Sequence, residues 1–441
     1  MAYFSSVERF ICFFRSELAF SLFRAFLART IAAFGVIILA VVVGRAYGPS
    51  GVGTVALAQA VLLGSGIFCK FGVDYSLIKY VGRGGRRKAF DIYLKRSFLI
   101  VSFFSIFVSS LLYFGRDFIS MSLGDESLVA IIPGVAVSVM PFTFGFVLSG
   151  FFKGSGNPAL ACLLENGSIS MLVAFVLFFL NKLYGYELNG IGEIYAGAAW
   201  VVAFVGFYKL YVWRKVIENE AGYDEPCVGF IDFLRVSFSF FISSLANFFQ
   251  SVVSIFLAGM LLSSSDLGLF KVSQQIGLIA AFSLIVINAI FPPRFSALYY
   301  EGKVEELGRL ARQGSLIGIF SSLPIFIVCI AFPEFVLSFF GDGFEGAEIA
   351  LRVICCAQIL NVATGSVGFL LNMTGHEKIM RNLTMVSGLV GIGVFWFLIE
   401  CYGLLGAALA QAFVLVFQNI LAALLVKSKL GITTIPGFQW R

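Results

Sequence analysis

Long apolar runs alternate with short polar breaks along almost the whole chain. Twelve runs are long enough to cross a bilayer, whose hydrocarbon core takes about 20 residues of helix. They cover residues 23–44, 52–80, 97–115, 128–151, 159–180, 191–213, 237–262, 267–291, 314–333, 347–373, 382–400 and 402–426. Runs such as 172–180, LVAFVLFFL, are apolar all round. A spanning barrel strand would instead alternate over about 10 residues, and an open strand would leave backbone groups unsatisfied in lipid. The pattern predicts an all-α integral membrane protein with twelve transmembrane helices. Pro141 in the fourth run and Pro324 in the ninth each remove a backbone hydrogen bond, so both are candidate hinges.

Composition agrees with a lipid environment. The 441 residues are 59% hydrophobic and 13% charged, against about 25% charged in soluble domains. Charge then sets orientation. With both termini in the cytoplasm, 23 of the 31 lysines and arginines fall at or beyond the cytoplasmic ends of the spans. Only Arg45, Arg116 and Lys182 fall in outer loops. That asymmetry is a positive-inside signal. The net charge of +6 is thereby a topology signal facing anionic lipid, which argues against nucleic acid as a partner. Residues 1–22 mix Glu8, Arg9, Arg15 and Glu17 with many phenylalanines. They read as an interfacial segment, not a cleaved signal peptide. The eight cysteines form no C-x-x-C pair, so neither a disulfide framework nor a metal site is expected. No phosphate-cradling G-x-x-x-x-G-K-[ST] run occurs, so ATP is not expected as a cofactor. Uphill transport would use a proton or sodium gradient, the substrate's own gradient, or a separate motor.

The chain also repeats itself. Tyr47-Gly48-Pro49-Ser50-Gly51-Val52-Gly53, followed by Gln59, matches Leu262-Ser263-Ser264-Ser265-Asp266-Leu267-Gly268, followed by Gln274, at an offset of 215 residues. Phe151-Phe152-Lys153-Gly154-Ser155-Gly156-Asn157 matches Leu370-Leu371-Asn372-Met373-Thr374-Gly375-His376 at an offset of 219. Two parallel six-helix halves follow, 23–213 and 237–426, joined by a cytoplasmic linker at 214–236 and followed by a tail at 427–441. Such halves commonly enclose a site and rock about it.

Several of these segments carry a family likeness. Gly44-Arg45-Ala46-Tyr47-Gly48-Pro49-Ser50-Gly51-Val52-Gly53 resembles the A-R-x-L-G-P-x-x-F-G turn of polysaccharide exporters and lipid-linked oligosaccharide flippases. Gly44 and Val52 depart from it, where alanine and an aromatic are usual. Ser265-Asp266-Leu267-Gly268-Leu269-Phe270, Pro292-Pro293-Arg294-Phe295-Ser296-Ala297-Leu298-Tyr299 and Leu371-Asn372-Met373-Thr374-Gly375-His376-Glu377-Lys378 resemble three further segments of that family, in order. The resemblance covers about residues 23–426. It implies two six-helix bundles of the kind seen in multidrug and toxic compound extruders. It also implies a polyprenyl-pyrophosphate-linked oligosaccharide as cargo, flipped across a bacterial inner membrane. Membrane lipid is a partner, other polysaccharide-assembly membrane proteins are candidate partners, and the chain would work as a monomer.

An anionic pyrophosphate needs positive charge along its path, and charges inside spans default to functional candidates. Arg29 lies over a turn inside the first span with no acidic residue on its face. Arg24, at the cytoplasmic mouth, lies five residues earlier, about 140° round the helix. The family's use of cations on helices one, two and eight adds Lys70 and Lys271 to Arg29. Lys79 is a further cation in a span. Snorkelling to headgroups is the alternative for Arg29, Lys79 and Lys271. Lys70 and Asp74 stand at i, i+4 and form either a packing pair or an ion-sensitive switch. Glu348 and Arg352 repeat that spacing nearer the outer side. Glu165, with no cation close by in sequence, is an ion-coupling candidate. Asn247, Gln250, Gln274, Gln358 and Asn361 would either bond sugar hydroxyls or join helices.

Two other classes remain. A drug-cation antiporter on the same bundle needs acidic residues in its lumen, whereas the deep charges here are more often basic. A glycan polymerase or ligase carries a sizeable catalytic outer loop, which this chain lacks. No catalytic residues are therefore assigned. The topology is tested by a single cysteine at Gly85 in a cysteine-free background. It should resist an impermeant thiol reagent added outside intact cells; modification from outside would invert the orientation.

Overall fold

The structure, a computed structural model, describes residues 17–82, 87–216 and 228–434. All regular structure among them is helical. Much of the 1–22 segment, part of the connection between the second and third runs, the middle of the 214–236 linker and the end of the tail lie outside the described residues. Eight described helices are long and apolar enough to cross a membrane, or nine if one pair bent by 53° counts as a single span. That is fewer than the twelve runs in sequence, for two reasons. Some helices are double length, and some runs are interrupted.

The double-length helices are α1 (Glu17–Lys70) and α18 (Glu377–Leu430), each of 54 residues. A straight helix of that size would measure about 80 Å, against a hydrocarbon core of about 30 Å. Each contains one non-helical glycine, Gly48 (φ 69°) in α1 and Gly403 (φ 55°) in α18. Positive φ costs glycine little because it has no Cβ. Pro49 reinforces the first break, since proline disfavours helical geometry in the residue before it.

The first interruption falls where another element presses on the backbone. The run 52–80 breaks at Phe71 (φ 48°) and Gly72 (φ 71°), between α1 and α2 (Val73–Val81). A Cβ on Gly72 would lie 2.3 Å from the Ser237 carbonyl oxygen. Phe71 holds a strained conformation, and its ring stacks on Phe104 and Phe241, each 5.2 Å away. The run 159–180 divides into α6 (Pro158–Leu163) and α7 (Asn166–Tyr184). The run 237–262 divides at Val252 into α9 (Phe230–Ser251) and α10 (Val253–Leu261). The run 267–291 bends at Ala281, between α11 (Ser264–Ala280) and α12 (Phe282–Ile290). The run 347–373 breaks at Gly365, between α16 (Glu348–Thr364) and α17 (Val367–Met373). The prolines behave differently from these breaks. Pro141 lies within continuous α5 (Leu128–Gly154), and Pro324 within continuous α14 (Val304–Ala331).

The chain divides into two compact units. The first comprises residues 1–42, 61–120 and 126–244; the second comprises 43–60, 121–125 and 245–441. In the first unit, α3 (Arg87–Phe114) shows what lipid does to a helix surface. Leu99, Phe103, Phe107 and Leu111 are all more than 60% exposed, whereas Ser97 and Ser105 are fully buried. Ser105 pairs with Thr143 of α5 at 3.0 Å. A helix in water would reverse this arrangement. Helix α5 is the hub, and its glycines admit neighbouring backbones. A Cβ at Gly134 would lie 2.2 Å from the Gly192 carbonyl carbon of α8 (Ile191–Val216). A Cβ at Gly150 would lie 2.4 Å from the Asp74 carbonyl oxygen. In the second unit, Gly314 and Gly318 of α14 receive Phe291 and Ile287 at 2.8 and 3.2 Å by the same measure. Ser283 and Ser322 hydrogen-bond beside them at 2.5 Å. Two further α-helices, α13 (Pro292–Tyr300) and α15 (Pro333–Leu337), flank α14, and α4 (Arg116–Leu123) follows α3.

Close backbone approach is the usual glue between helices in lipid. Gly150→Val should therefore destabilise the first unit by about 1–3 kcal/mol. Gly197→Ala, where an added Cβ meets nothing within 4 Å, should be neutral. Thermal unfolding in detergent compares the two, and equal melting temperatures would contradict the packing account.

Candidate functional site

The first unit holds most of the charged candidates. Arg29 lies on α1, exposed, with no hydrogen bond or ion pair among the described residues. Its helix is held against α7 by interlocked glycines. A Cβ on Gly35 would lie 2.4 Å from the Gly167 carbonyl oxygen, and one on Gly167 would lie 2.2 Å from that of Ala32. The guanidinium sits close enough to Cys162 of α6 to influence the thiol electrostatically. Arg24 is also exposed, a turn and a half earlier.

Glu165 does acquire a cation, contrary to its appearance in sequence. It occupies the N-cap position of α7. It accepts hydrogen bonds from Lys153 at 2.5 Å and from Ser149 at 2.9 Å. The tight turn between α5 and α6 brings the end of α5 back beside it. Ser149 and Lys153 stand at i, i+4 on α5, and that spacing was the available sequence signal. Lys153 lies in the Phe151–Asn157 turn of the sequence repeat.

Lys70 and Asp74 pair as their spacing suggested, with Nζ 2.9 Å from Oδ2, but across the Phe71–Gly72 break and not along a continuous helix. Each side chain is only 11% exposed. The ammonium also lies 4.8 Å from the Phe146 ring centroid and 5.8 Å from that of Tyr75. The second carboxylate oxygen of Asp74 is buried without a partner. Lys70 is thus a neutralised, shielded cation. Lys79, by contrast, is exposed, with Nζ 5.6 Å from the Tyr80 ring centroid.

Lys271 belongs to the second unit, on α11. It is half-buried and has no hydrogen bond or ion pair among the described residues. Four amides of this unit pair with one another. Gln274 of α11 donates to Gln411 of α18 at 3.1 Å, and Asn361 donates to Gln358 at 2.8 Å. Gln275 Oε1 and Asn288 Oδ1 are buried without partners. The side chains of Asn247 and Gln250 lie outside the described residues; their backbone is part of α9. Glu348 and Arg352 approach to 3.7 Å, and Arg352 also donates to the Ile330 carbonyl at 3.1 Å. A cavity of about 430 Å³, lined by Arg294, Leu298, Glu306, Arg309 and Gln313 among others, opens beside α13 and α14 and contains none of the expected site residues.

This helical arrangement has the fold of multidrug and glycan-lipid transporters. The structure superposes on an inward-facing multidrug resistance MATE family transporter of the MOP superfamily with a TM-score of 0.74 and 17% identity, covering 92% of this chain and 98% of that one. It superposes on the lipid II flippase MurJ with a TM-score of 0.66 and 13% identity, covering 93% and 87%. The chain belongs to the polysaccharide biosynthesis protein family, whose profile matches residues 19–298. The MatE profile matches residues 239–397. A Haloferax volcanii protein described as "Probable low-salt glycan biosynthesis flippase Agl15" is 23% identical over 186 residues, 41% of this chain and 39% of its own length. A Staphylococcus aureus capsular polysaccharide biosynthesis protein, CapF, is 22% identical over 255 residues, 57% of this chain and 64% of its own. The matched segments thus span less than two thirds of either relative.

The Lys70–Asp74 pair yields a stability test. Asp74→Ala should cost about 3–5 kcal/mol, because it strands a buried ammonium. Replacing both, as Lys70→Met with Asp74→Leu, should cost far less. Melting temperatures of the purified variants decide, and a harmless Asp74→Ala would mean the pair is open to water.

Proposed function

We propose that this chain flips a polyprenyl-pyrophosphate-linked oligosaccharide from the cytoplasmic to the outer leaflet by alternating access. The observation that carries the reading is Arg29, an exposed guanidinium on an apolar spanning helix with no ion pair among the described residues. A cation in a span is costly unless it meets an anion or water. Guanidinium suits pyrophosphate because its planar fork takes two oxygens and stays charged in a low dielectric. Lys271, likewise without an ion pair among the described residues, is a second candidate contact. Lys70 contributes only if Asp74 is protonated or displaced. Family membership and the glycan-related names of both sequence relatives support the cargo class.

Twelve spans in two six-helix lobes fit the helices when α1 and α18 are each counted twice and each interrupted run once. The lobes would cover 23–213 and 237–426, with both termini in the cytoplasm. A drug-cation antiporter is less well supported, because the carboxylates Asp74 and Glu165 already hold lysines. Proton or sodium coupling would involve the same two carboxylates. The family match and the fold support reading the chain as a transporter.

Arg29→Ala should weaken cargo binding at least tenfold, on the basis of about 1.5–3 kcal/mol per charge-assisted hydrogen bond. Glycan display in a flippase-null strain should be lost at normal protein level, and Arg29→Lys should restore it in part. Full display from Arg29→Ala would reassign the residue to headgroup snorkelling.

A further inference from the structure

The two turns that repeat in sequence also meet in space, within the second unit. A Cβ on Gly53 would lie 1.8 Å from the Ser264 carbonyl oxygen. A Cβ on Gly268 would lie 1.9 Å from the Pro49 carbonyl oxygen. Residues 49 and 264, and 53 and 268, are separated by the same 215 positions. The contact is therefore reciprocal, as across a two-fold axis, and it excludes any side chain at either glycine.

A third segment closes this seam. Asp125 follows α4 and the positive-φ residue Gly124, and it is only 6% exposed. Thr54, one residue past Gly53, donates its hydroxyl to Asp125 Oδ2 at 2.5 Å. Ser264 donates to the same oxygen at 2.9 Å. One carboxylate oxygen thus holds one hydroxyl from each of the two turns. Bonds to an ionised acceptor are the strong kind, and a buried carboxylate is tolerated only when so bonded. Neither cargo recognition nor ion coupling, as assigned above, uses this group.

We propose that Asp125 is the latch of the gate opposite the basic loops. Its hydrogen bonds to Thr54 and Ser264 hold the Gly53–Gly268 seam shut, and their release is a required step of the transport cycle. This rests on the alternating-access reading, in which the repeated turns must part to release cargo.

The test measures opening without cargo. A single cysteine replaces Leu267, which is 1% exposed at the seam, in a cysteine-free background. Its rate of modification by an impermeant maleimide is followed in intact cells and in inverted vesicles. A second reporter, Glu187→Cys, sits at an exposed position and shows which preparation presents this face. On that face, Asp125→Ala should accelerate modification at position 267 by about tenfold or more. Thr54→Val, which removes one of the two bonds, should have a smaller effect. Asp125→Asn retains an acceptor oxygen and should lie between the parent and Asp125→Ala. The Glu187→Cys rate should not change, which excludes general unfolding. Equal rates at position 267 in all variants would overturn the latch. Faster modification in a chain that flips no glycan would leave the latch standing and overturn the cargo reading instead.

Discussion

Lipid gives helices no reason to associate through leucine and phenylalanine, because acyl chains are equally apolar. This protein is held by backbone meeting backbone where a side chain is missing. Gly150 lets α5 reach the Asp74 carbonyl, and Gly72 lets α9 reach the start of α2. Together these contacts fix the break in the second run, and the break fixes how Lys70 meets Asp74. Gly53 and Gly268 set the seam between the repeated turns in the same way. Charge placement therefore depends on glycine placement, one step removed.

That dependence explains what was legible in the chain. Apolar run length marked the long helices, and Gly48-Pro49 marked a turn because positive φ is a local property; the break at Gly403 instead falls just inside the run 402–426. The break at Phe71 is not local. Phenylalanine is a poor choice for positive φ, and the residues that hold it there come from α3 and α9. The Lys70–Asp74 pair was readable because both partners lie within one turn's reach. Glu165 appeared isolated because Lys153 reaches it only after the chain doubles back. The Gln274–Gln411 bond joins residues 137 positions apart, which no spacing rule captures. Asp125 sits between the third and fourth apolar runs in a segment of ordinary composition, and nothing in the sequence distinguishes it from a solvated turn residue.

The balance of charge bears on cargo. In the first unit, buried Asp74 and partly exposed Glu165 each engage a lysine, while Arg29 has no ion pair among the described residues. In the second unit, Lys271 is likewise without one among the described residues. Among the candidate charges, those without an ion pair among the described residues are thus positive. In a low-dielectric setting such charge is expensive unless an anion or water arrives to meet it. Positive side chains of this kind would suit a pyrophosphate better than an organic cation.

Reconstitution tests the cargo claim most directly. The purified chain is placed in liposomes that carry a fluorescent polyprenyl-pyrophosphate oligosaccharide, and a membrane-impermeant quencher is added outside. Without protein, about half of the label, that in the inner leaflet, should stay protected. With protein, protected label should exchange to the outer leaflet and quench almost completely, and Arg29→Ala should slow that exchange. Persistent half-protection with folded wild-type protein, under both proton and sodium gradients, would contradict the account.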